Sequence, residues 1–264
     1  MNRKIVNTVV SNLYSEPSFR SEMVTQAFLG EVVGVLDQSD KWFRIVCPDG
    51  YRGWIRWNTI VDNDLWEAKD GKWFTPNDSV ANVWTTPEMT NIFQKVTLMS
   101  RVQLVRDDGN VVLIQLPDGK TGWMSNRPLT IFGKSMRDKI VQTAHRFLGI
   151  PYFWGGKSPF GTDCSGLMQS VFGLCGISLK RDAGEQFQMK SLVEIEFSDA
   201  ETGDLYFFGE DDKIGHVGLS IGNGKILHSS GWVHIDSLIE TAVDFNEQLK
   251  QTFLVCKSIR NLVR

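Results

Sequence analysis

The chain has 264 residues, 42% of them hydrophobic, and a formal net charge of −3 at pH 7. That length can bury one large core or several small ones, and the acidic balance argues against nucleic acid or an anionic membrane as a main partner. No apolar stretch approaches the roughly 18 residues needed to cross a bilayer. The N-terminus, MNRKIVNTVVSNLYSEPS, lacks an apolar core followed by a small-residue cleavage site, so no signal peptide is expected. The four cysteines, Cys47, Cys164, Cys175 and Cys256, form no C-x-x-C pair. They read as independent thiols, three of them core residues, which makes the cytoplasm the expected compartment.

The first half of the chain contains an internal repeat. SNLYSEPS at 11–18 aligns with ANVWTTPE at 81–88, and PDGYRGWI at 48–55 aligns with PDGKTGWM at 117–124, offsets of 70 and 69. Both copies alternate apolar and polar residues in short stretches, such as Trp42–Val46 and Val111–Leu116, each followed by a Pro-Asp-Gly turn. Closely spaced strands with turn punctuation predict two small barrels. The repeated pairs Gly53-Trp54 and Gly122-Trp123 resemble bacterial SH3-like modules. Between the copies, the polar stretch 62–78 carries Trp66, Trp73 and Phe74, more aromatic surface than a flexible linker needs, and is expected to pack between the modules.

From Ser135 the texture changes. Ser135 can cap a helix whose apolar residues Met136, Ile140, Ala144, Phe147 and Leu148 recur at helical spacing until Gly149. A glycine- and aromatic-rich loop, PYFWGG at 151–156, leads to a second helix that starts at Cys164, is apolar at Leu167, Met168, Val171, Phe172 and Leu174, and closes at Gly176. Beyond Gly203 the predicted elements are strands: Asp204–Phe208, His216–Ile221, Lys225–Ser229 and Thr252–Ser258. Helices first and an antiparallel sheet second make this half an α+β domain.

Residues 162–166 read Thr-Asp-Cys-Ser-Gly. They put Cys164 where unpaired first-turn N–H groups stabilise a thiolate. His216 opens a strict alternation in which His216, Gly218 and Ser220 share one face, the two small residues leaving room for a substrate, while Val217, Leu219 and Ile221 form the core face. His228 follows the hairpin signal Gly222-Asn223-Gly224. A two-residue turn would place His228 opposite Leu219, on the apolar face; a three-residue loop places it opposite Gly218, with His216, and is the register expected. A cysteine nucleophile upstream of a histidine pair is a general arrangement for acyl transfer. His145, on an amphipathic helix, and His234, in a late loop, are expected to be structural, and Cys175 to be core.

The run PYFWGG, Asp163-Cys164-Ser165-Gly166, Arg181, Gly203-Asp204-Leu205, Gly215-His216-Val217-Gly218 and His228-Ser229 resembles the NlpC-type papain-like peptidases of bacterial cell-wall metabolism. With two SH3-like modules ahead of it, the chain resembles the γ-D-glutamyl-L-diamino-acid endopeptidases of the dipeptidyl-peptidase VI type. The resemblance implies Cys164 as nucleophile, His216 as base and His228 as the residue orienting it. It also implies Tyr152 beside the oxyanion with the Cys164 N–H, and Asp163 and Ser165 as substrate contacts. A hydroxyl residue common in the family near 183 is Ala183 here. Glu16 and Tyr51 of the first copy correspond to Thr86 and Lys120 of the second. In the resembling enzymes the first module contributes an acid and a tyrosine that hold a free L-Ala amine, which nominates Glu16 and Tyr51, with Glu22 as an alternative acid.

The expected architecture is therefore an α+β papain-like peptidase domain at 131–264, preceded by an SH3-like module at 1–65 and by a linker with a second SH3-like module at 66–130. The expected activity is hydrolysis of a γ-D-glutamyl–diamino-acid bond in a murein peptide, in wall-peptide recycling, with diaminopimelate and lysine both open at the third residue. No spacing suits zinc, so neither metal nor cofactor is expected, and no obligatory protein partner is evident. The rival readings are a peptidoglycan-binding protein with an inactive peptidase domain, and an acyltransferase or N-acetylmuramoyl-L-alanine amidase on the same scaffold.

Overall fold

The computed structural model describes residues 2–62, 66, 71–211 and 213–263. The chain divides into two compact units, Met1–Thr130 and Ile131–Arg264. No helix among the described residues is long and apolar enough to cross a membrane.

The first unit holds two antiparallel sheets built on one plan. In the first, the strands are β1 (Arg3–Val6), β2 (Val10–Tyr14), β3 (Met23–Phe28), β4 (Val32–Ser39), β5 (Trp42–Val46), β6 (Arg52–Arg56) and β7 (Ile60–Val61), in the order β3-β2-β6-β5-β4-β1-β7. The second comprises β8 (Lys72–Phe74), β9 (Val80–Trp84), β10 (Ile92–Thr97), β11 (Val102–Asp107), β12 (Val111–Gln115) and β13 (Thr121–Ser125), in the order β10-β9-β13-β12-β11-β8. Reading β8 against β1, β9 against β2 and so on, the two orders coincide, so the sequence repeat is a repeat of topology. The repeated glycine has a packing reason. A Cβ on Gly53 would sit 3.0 Å from Leu13 Cβ, and one on Gly122 would sit 2.4 Å from Val83 Cγ1. Only a bare Cα lets the strand after each Pro-Asp-Gly turn cross so near its neighbour, where Tyr14 faces Trp54 and Trp84 faces Trp123.

One feature of the expected modules does not hold. Among the described residues neither sheet closes into a barrel, since no pairing joins β3 to β7 or β10 to β8. Each sheet instead bends around its core through bulges, at Leu13/Tyr14 and Val35/Asp37 in the first and Leu104/Arg106 in the second.

Each sheet has its own core, and one residue of the first reaches into that of the second. Leu29, in the turn after β3, is fully buried in the cluster of Val83, Val96, Val102 and Ile114, which belongs to the second sheet. The main chain follows it, with the Arg101 N–H donating to Leu29 O at 2.9 Å. Trp66 is buried beside this joint, donating its indole N–H to Gly30 O at 3.0 Å and packing edge-on against Trp73. The expectation that 62–78 packs between the modules therefore holds for Trp66, while residues 63–65 and 67–70 lie outside the described residues.

The second unit opens with α1 (Met136–His145), started by a capping box in which Ser135 Oγ accepts from the Asp138 N–H and Asp138 accepts from the Ser135 N–H. The helix ends at His145, short of Gly149, and Leu148 is exposed rather than core. A small ribbon, β14 (Lys157–Ser158) and β15 (Gly161–Thr162), precedes α2 (Cys164–Leu174) and α3 (Ala183–Phe187). The sheet consists of β16 (Val193–Ile195), β17 (Leu205–Glu210), β18 (Lys213–Gly222), β19 (Lys225–Ser230), β20 (Trp232–Ser237) and β21 (Phe253–Ser258), with α4 (Glu247–Gln251) before the last strand. Its order is β16-β21-β17-β18-β19-β20. The α+β expectation holds, with two strands more than the sequence predicted, β16 and β20.

Leu29→Ala should cost about 2–5 kcal/mol, because it empties a site enclosed by the neighbouring sheet's core. Urea denaturation followed by tryptophan fluorescence measures this; a loss below about 0.5 kcal/mol would show that Leu29 does not couple the two sheets.

Candidate active site

Cys164 is the first residue of α2, and the residue before it holds the helix start in place. Asp163 is the N-cap, its Oδ1 accepting the Gly166 N–H at 2.6 Å. Arg181 forks onto the same carboxylate, Nη1 to Oδ1 at 3.0 Å and Nη2 to Oδ2 at 2.6 Å, and Nη1 also donates to Ser165 Oγ at 3.1 Å. The Gly155 N–H at 2.9 Å and Ser165 Oγ at 3.3 Å complete five donors to one carboxylate. Asp163, Ser165 and Arg181 are all buried. Asp163 and Ser165, nominated as substrate contacts, both make these hydrogen bonds in the wall behind Cys164. Gly166 is required there, since a Cβ would lie 2.1 Å from Gly156 O.

The Cys164 thiol accepts from the N–H groups of Val217 and Ser165. Val217 follows His216 on β18, so the helix start and the histidine strand meet at this contact. The Cys164 N–H itself has no hydrogen-bond acceptor among the described residues. A substrate carbonyl oxygen at this position would find a first-turn donor. Tyr152 is near enough for the charges of Cys164 and Asp163 to act on its phenol, after burial, and to push its pKa up to about 12. The phenol is therefore a donor at any ordinary pH.

His216 and His228 lie on one side of the β18–β19 hairpin, with His216 Nε2 and His228 Nδ1 2.8 Å apart. The route to this register differs from the expected one. The turn is the two-residue Asn223-Gly224, both at positive φ and closed by Gly222 opposite Lys225. A bulge between Ser220 and Gly222 absorbs one residue and restores the pairing of Ser220 with Ile226 and Leu219 with Leu227. A tight turn alone would have reversed the face; the bulge reverses it back. Nor is the room beside Gly218 left for substrate: a Cβ there would meet Ile226 Cδ1 at 2.4 Å and His228 Cβ at 2.9 Å, and Ser220 is buried. The small residue admits the second histidine.

The chain of contacts continues where the sequence reading stopped. His228 Nε2 is 3.2 Å from Asp236 Oδ2, and Asn246 Nδ2 donates to the same oxygen at 2.5 Å. The His228 hydrogen bond is the main reason the Asp236 carboxyl is held down to about 2, with Asn246 helping against burial. An ionised carboxylate only accepts, so His228 carries its proton on Nε2. Its Nδ1 then accepts, His216 donates from Nε2, and His216 Nδ1 keeps a lone pair. One carboxylate thus sets the tautomers of both rings. His234, expected to be a loop residue, lies on β20 directly opposite His228, and its ring stands 4.6 Å from that ring. The alternation Trp232, His234, Asp236 is the sequence signal for this group, legible once β20 is known to be a strand. His145, by contrast, only meets Val141 O of its own helix.

Burial dominates both reacting groups. It pushes the Cys164 thiol up to about 11, with the Asp163 charge adding and the Val217 and Ser165 N–H groups opposing. It pushes His216 down to about 3, helped by His228 and His234. The thiolate stabilisation expected from the helix start is thus outweighed, and each group alone rests neutral. Passing a proton from thiol to imidazole creates opposite charges together, which burial opposes far less than either charge alone.

Glu16 and Tyr51 lie in the first unit, at neighbouring ends of paired strands: Glu16 just after β2, Tyr51 just before β6, with Tyr14 facing Trp54 between those strands. Glu16 is exposed, and its loop is tied by Ser21 Oγ donating to Glu16 O at 3.1 Å. Glu22 is exposed as well.

Comparison with known proteins accords with this geometry. Residues 149–249 match the NlpC/P60 family, and residues 13–59 match the bacterial dipeptidyl-peptidase SH3 domain. The chain is 30% identical to the γ-D-glutamyl-L-lysine dipeptidyl-peptidase of Bacillus subtilis strain 168, over 78% of this chain and 71% of that protein. It is 29% identical to dipeptidyl-peptidase 6 of Lysinibacillus sphaericus, over 97% and 98%. A crystal structure of an NlpC/P60 family protein from Bacillus cereus ATCC 10987 superposes with a TM-score of 0.84 at 21% identity, covering 98% of this chain and 99% of that one, a likeness of fold. With a buried cysteine at the head of a helix, a histidine strand against it and a matching SH3-type module in front, the chain belongs to the NlpC/P60 family.

Proposed function

We propose that this NlpC/P60 peptidase is a cysteine endopeptidase that cleaves the γ-D-glutamyl–diamino-acid bond of murein peptides with a free N-terminal L-Ala. The observation that carries the reading is the Cys164 thiol at the start of α2, in contact with the Val217 N–H and served by a histidine pair whose proton direction Asp236 sets. His216 Nδ1 takes the thiol proton, and the thiolate adds to the γ-carbonyl carbon. The oxyanion is met by the Cys164 N–H and the Tyr152 phenol. The tetrahedral species collapses to a thioester as His216 returns the proton to the leaving amine. Water activated by His216 then attacks the thioester, and collapse releases the dipeptide L-Ala-γ-D-Glu with a free γ-carboxylate and regenerates the thiol. His228 keeps the His216 ring oriented while it is charged.

The exposed rings of Phe153, Trp154 and Trp232 border this chemistry, and support a cleft that takes an extended peptide. The match of residues 13–59 to a dipeptidyl-peptidase SH3 domain supports giving amino-end recognition to the first module, with Glu16 pairing the L-Ala ammonium and Tyr51 beside it. The absence of disulfides among four cysteines fits a role in cytoplasmic recycling of wall peptides.

Incubation with L-Ala-γ-D-Glu-diaminopimelate, and separately with its lysine counterpart, should release L-Ala-γ-D-Glu detectable by mass, and Cys164→Ala should release none while keeping its fold. Intact peptide after prolonged incubation with the wild-type chain would sink the reading. Asp236→Asn should lower kcat by about 10²–10⁴-fold with little change in KM, because an amide can also donate and no longer fixes the tautomers; a loss under threefold would remove Asp236 from the chain of control. Glu16→Ala should lower kcat/KM roughly ten- to a hundred-fold on the free-amine peptide, the worth of one charge-assisted hydrogen bond, and far less on the N-acetylated peptide. Equal losses on both substrates would show that Glu16 does not read the amine.

A further inference from the structure

The second unit carries a group of metal-binding atoms that the proposed reaction leaves unused. His228, His234 and Asp236 each offer one ligand atom, all within 4.8 Å of one another. They come from facing positions on β19 and β20, and their side chains reach from the buried His228 to the partly exposed His234 and Asp236.

The surroundings of His234 suit a ligand to a cation. His234 Nδ1 is 2.8 Å from Trp232 O, a carbonyl that only accepts, so that nitrogen carries the ring's proton. The other ring nitrogen, Nε2, points toward Asp236 Oδ2, 3.4 Å away. A cation seated beside this contact would be met by both atoms. The backbone carbonyl on Nδ1 is also the partner that metal-ligating histidines ordinarily have on the far side of the ring. Two imidazole nitrogens and one carboxylate oxygen, with a fourth direction toward solvent, suit a borderline-soft divalent ion such as zinc, at ligand distances of about 2.0–2.2 Å.

We infer that His228, His234 and Asp236 form an inhibitory divalent-metal site that switches the catalytic pair off. A metal on His228 Nε2 forces that ring's proton to Nδ1, which must then donate to His216 Nε2. His216 is left with its proton on Nδ1, the nitrogen that has to receive the thiol proton. Each of the two rings keeps one proton and merely exchanges which nitrogen bears it, so no oxidant or co-reactant is needed. Occupied, the site holds the base in its inactive tautomer; empty, it leaves Asp236 to set the active one. Binding itself is independent of the peptidase reading; its inhibitory consequence rests on that reading.

The test separates the two. Zinc chloride titrated calorimetrically into the metal-stripped full-length Cys164→Ala chain, which lacks the thiol as a ligand, should show one equivalent bound. His234→Phe in the same background keeps the ring stack and removes the ligand, and should weaken binding at least tenfold; His234→Gln serves as the second variant if the first loses its thermal transition. In the thiol-containing chain, zinc should inhibit peptide cleavage reversibly by chelator, and His234→Phe should raise the inhibitory concentration by a similar factor. No binding tighter than millimolar, or binding unchanged in both His234 variants, would overturn the site. Inhibition equally potent in wild type and His234→Phe would place it on the thiol and overturn the switch. Zinc binding without any peptide cleavage would leave the site standing and count against the peptidase reading alone.

Discussion

The buried pairing of Asp163 with Arg181 is the interaction on which the reactive end of this molecule depends. One carboxylate caps α2, receives both arms of a guanidinium and accepts the Gly155 N–H, so the helix start, the PYFWGG loop and the segment before α3 are fastened at a single point. Removing one member of such a buried pair leaves an uncompensated charge, a loss of about 3–5 kcal/mol. The cost is borne next to Cys164 because the thiol's position follows from the helix start. Gly166, tight against Gly156 O, is the steric counterpart of the same constraint.

A second carboxylate does comparable work for the protons. Asp236 lies two hydrogen bonds away from the His216 ring, and its effect on that ring passes through His228. This separation matters in a buried site. A charge placed directly on His216 would hold the imidazolium against returning its proton to a leaving group. Passing the carboxylate's influence through a neutral ring keeps its directional effect and dilutes its electrostatic one. The depressed affinity of His216 for protons is consistent with an environment where burial still outweighs that distant charge.

The first unit shows where the two copies of a duplicated module are constrained alike and where they differ. Strand order and the close-packed glycine repeat in both sheets, because both are conditions for the strands to cross at all. The loops are free of that condition, and there the copies differ: Glu16 against Thr86, Tyr51 against Lys120. Lys120 is occupied locally by Asp118 at 2.7 Å. The joint at Leu29 then makes one compact unit of the two sheets, so a module with the same scaffold and different loop residues still contributes an interior.

Local chemistry in the sequence determined much of this. The repeat, the capped helix at Ser135, the cysteine at a helix start and the strand alternation around His216 all depend on neighbours within a few residues, and all are present at or near their expected bounds. What lay beyond reach depends on partners distant in the chain. Whether Gly218 leaves space or is filled by His228 is decided by a bulge at Ile221, and a one-residue shift reverses every side chain of a strand. Asp163 reads from sequence as a group beside the nucleophile, and its pairing with Arg181, 18 residues on, is visible only in the fold. His234 and Asp236 gain their meaning from β20, a strand whose pattern WVHIDS is too short and mixed to declare itself until β19 pairs with it. Sequence alone therefore nominated Cys164 and its histidines; tertiary pairing decided which way the histidine protons point, because that direction is set by a carboxylate the chain must fold to bring near.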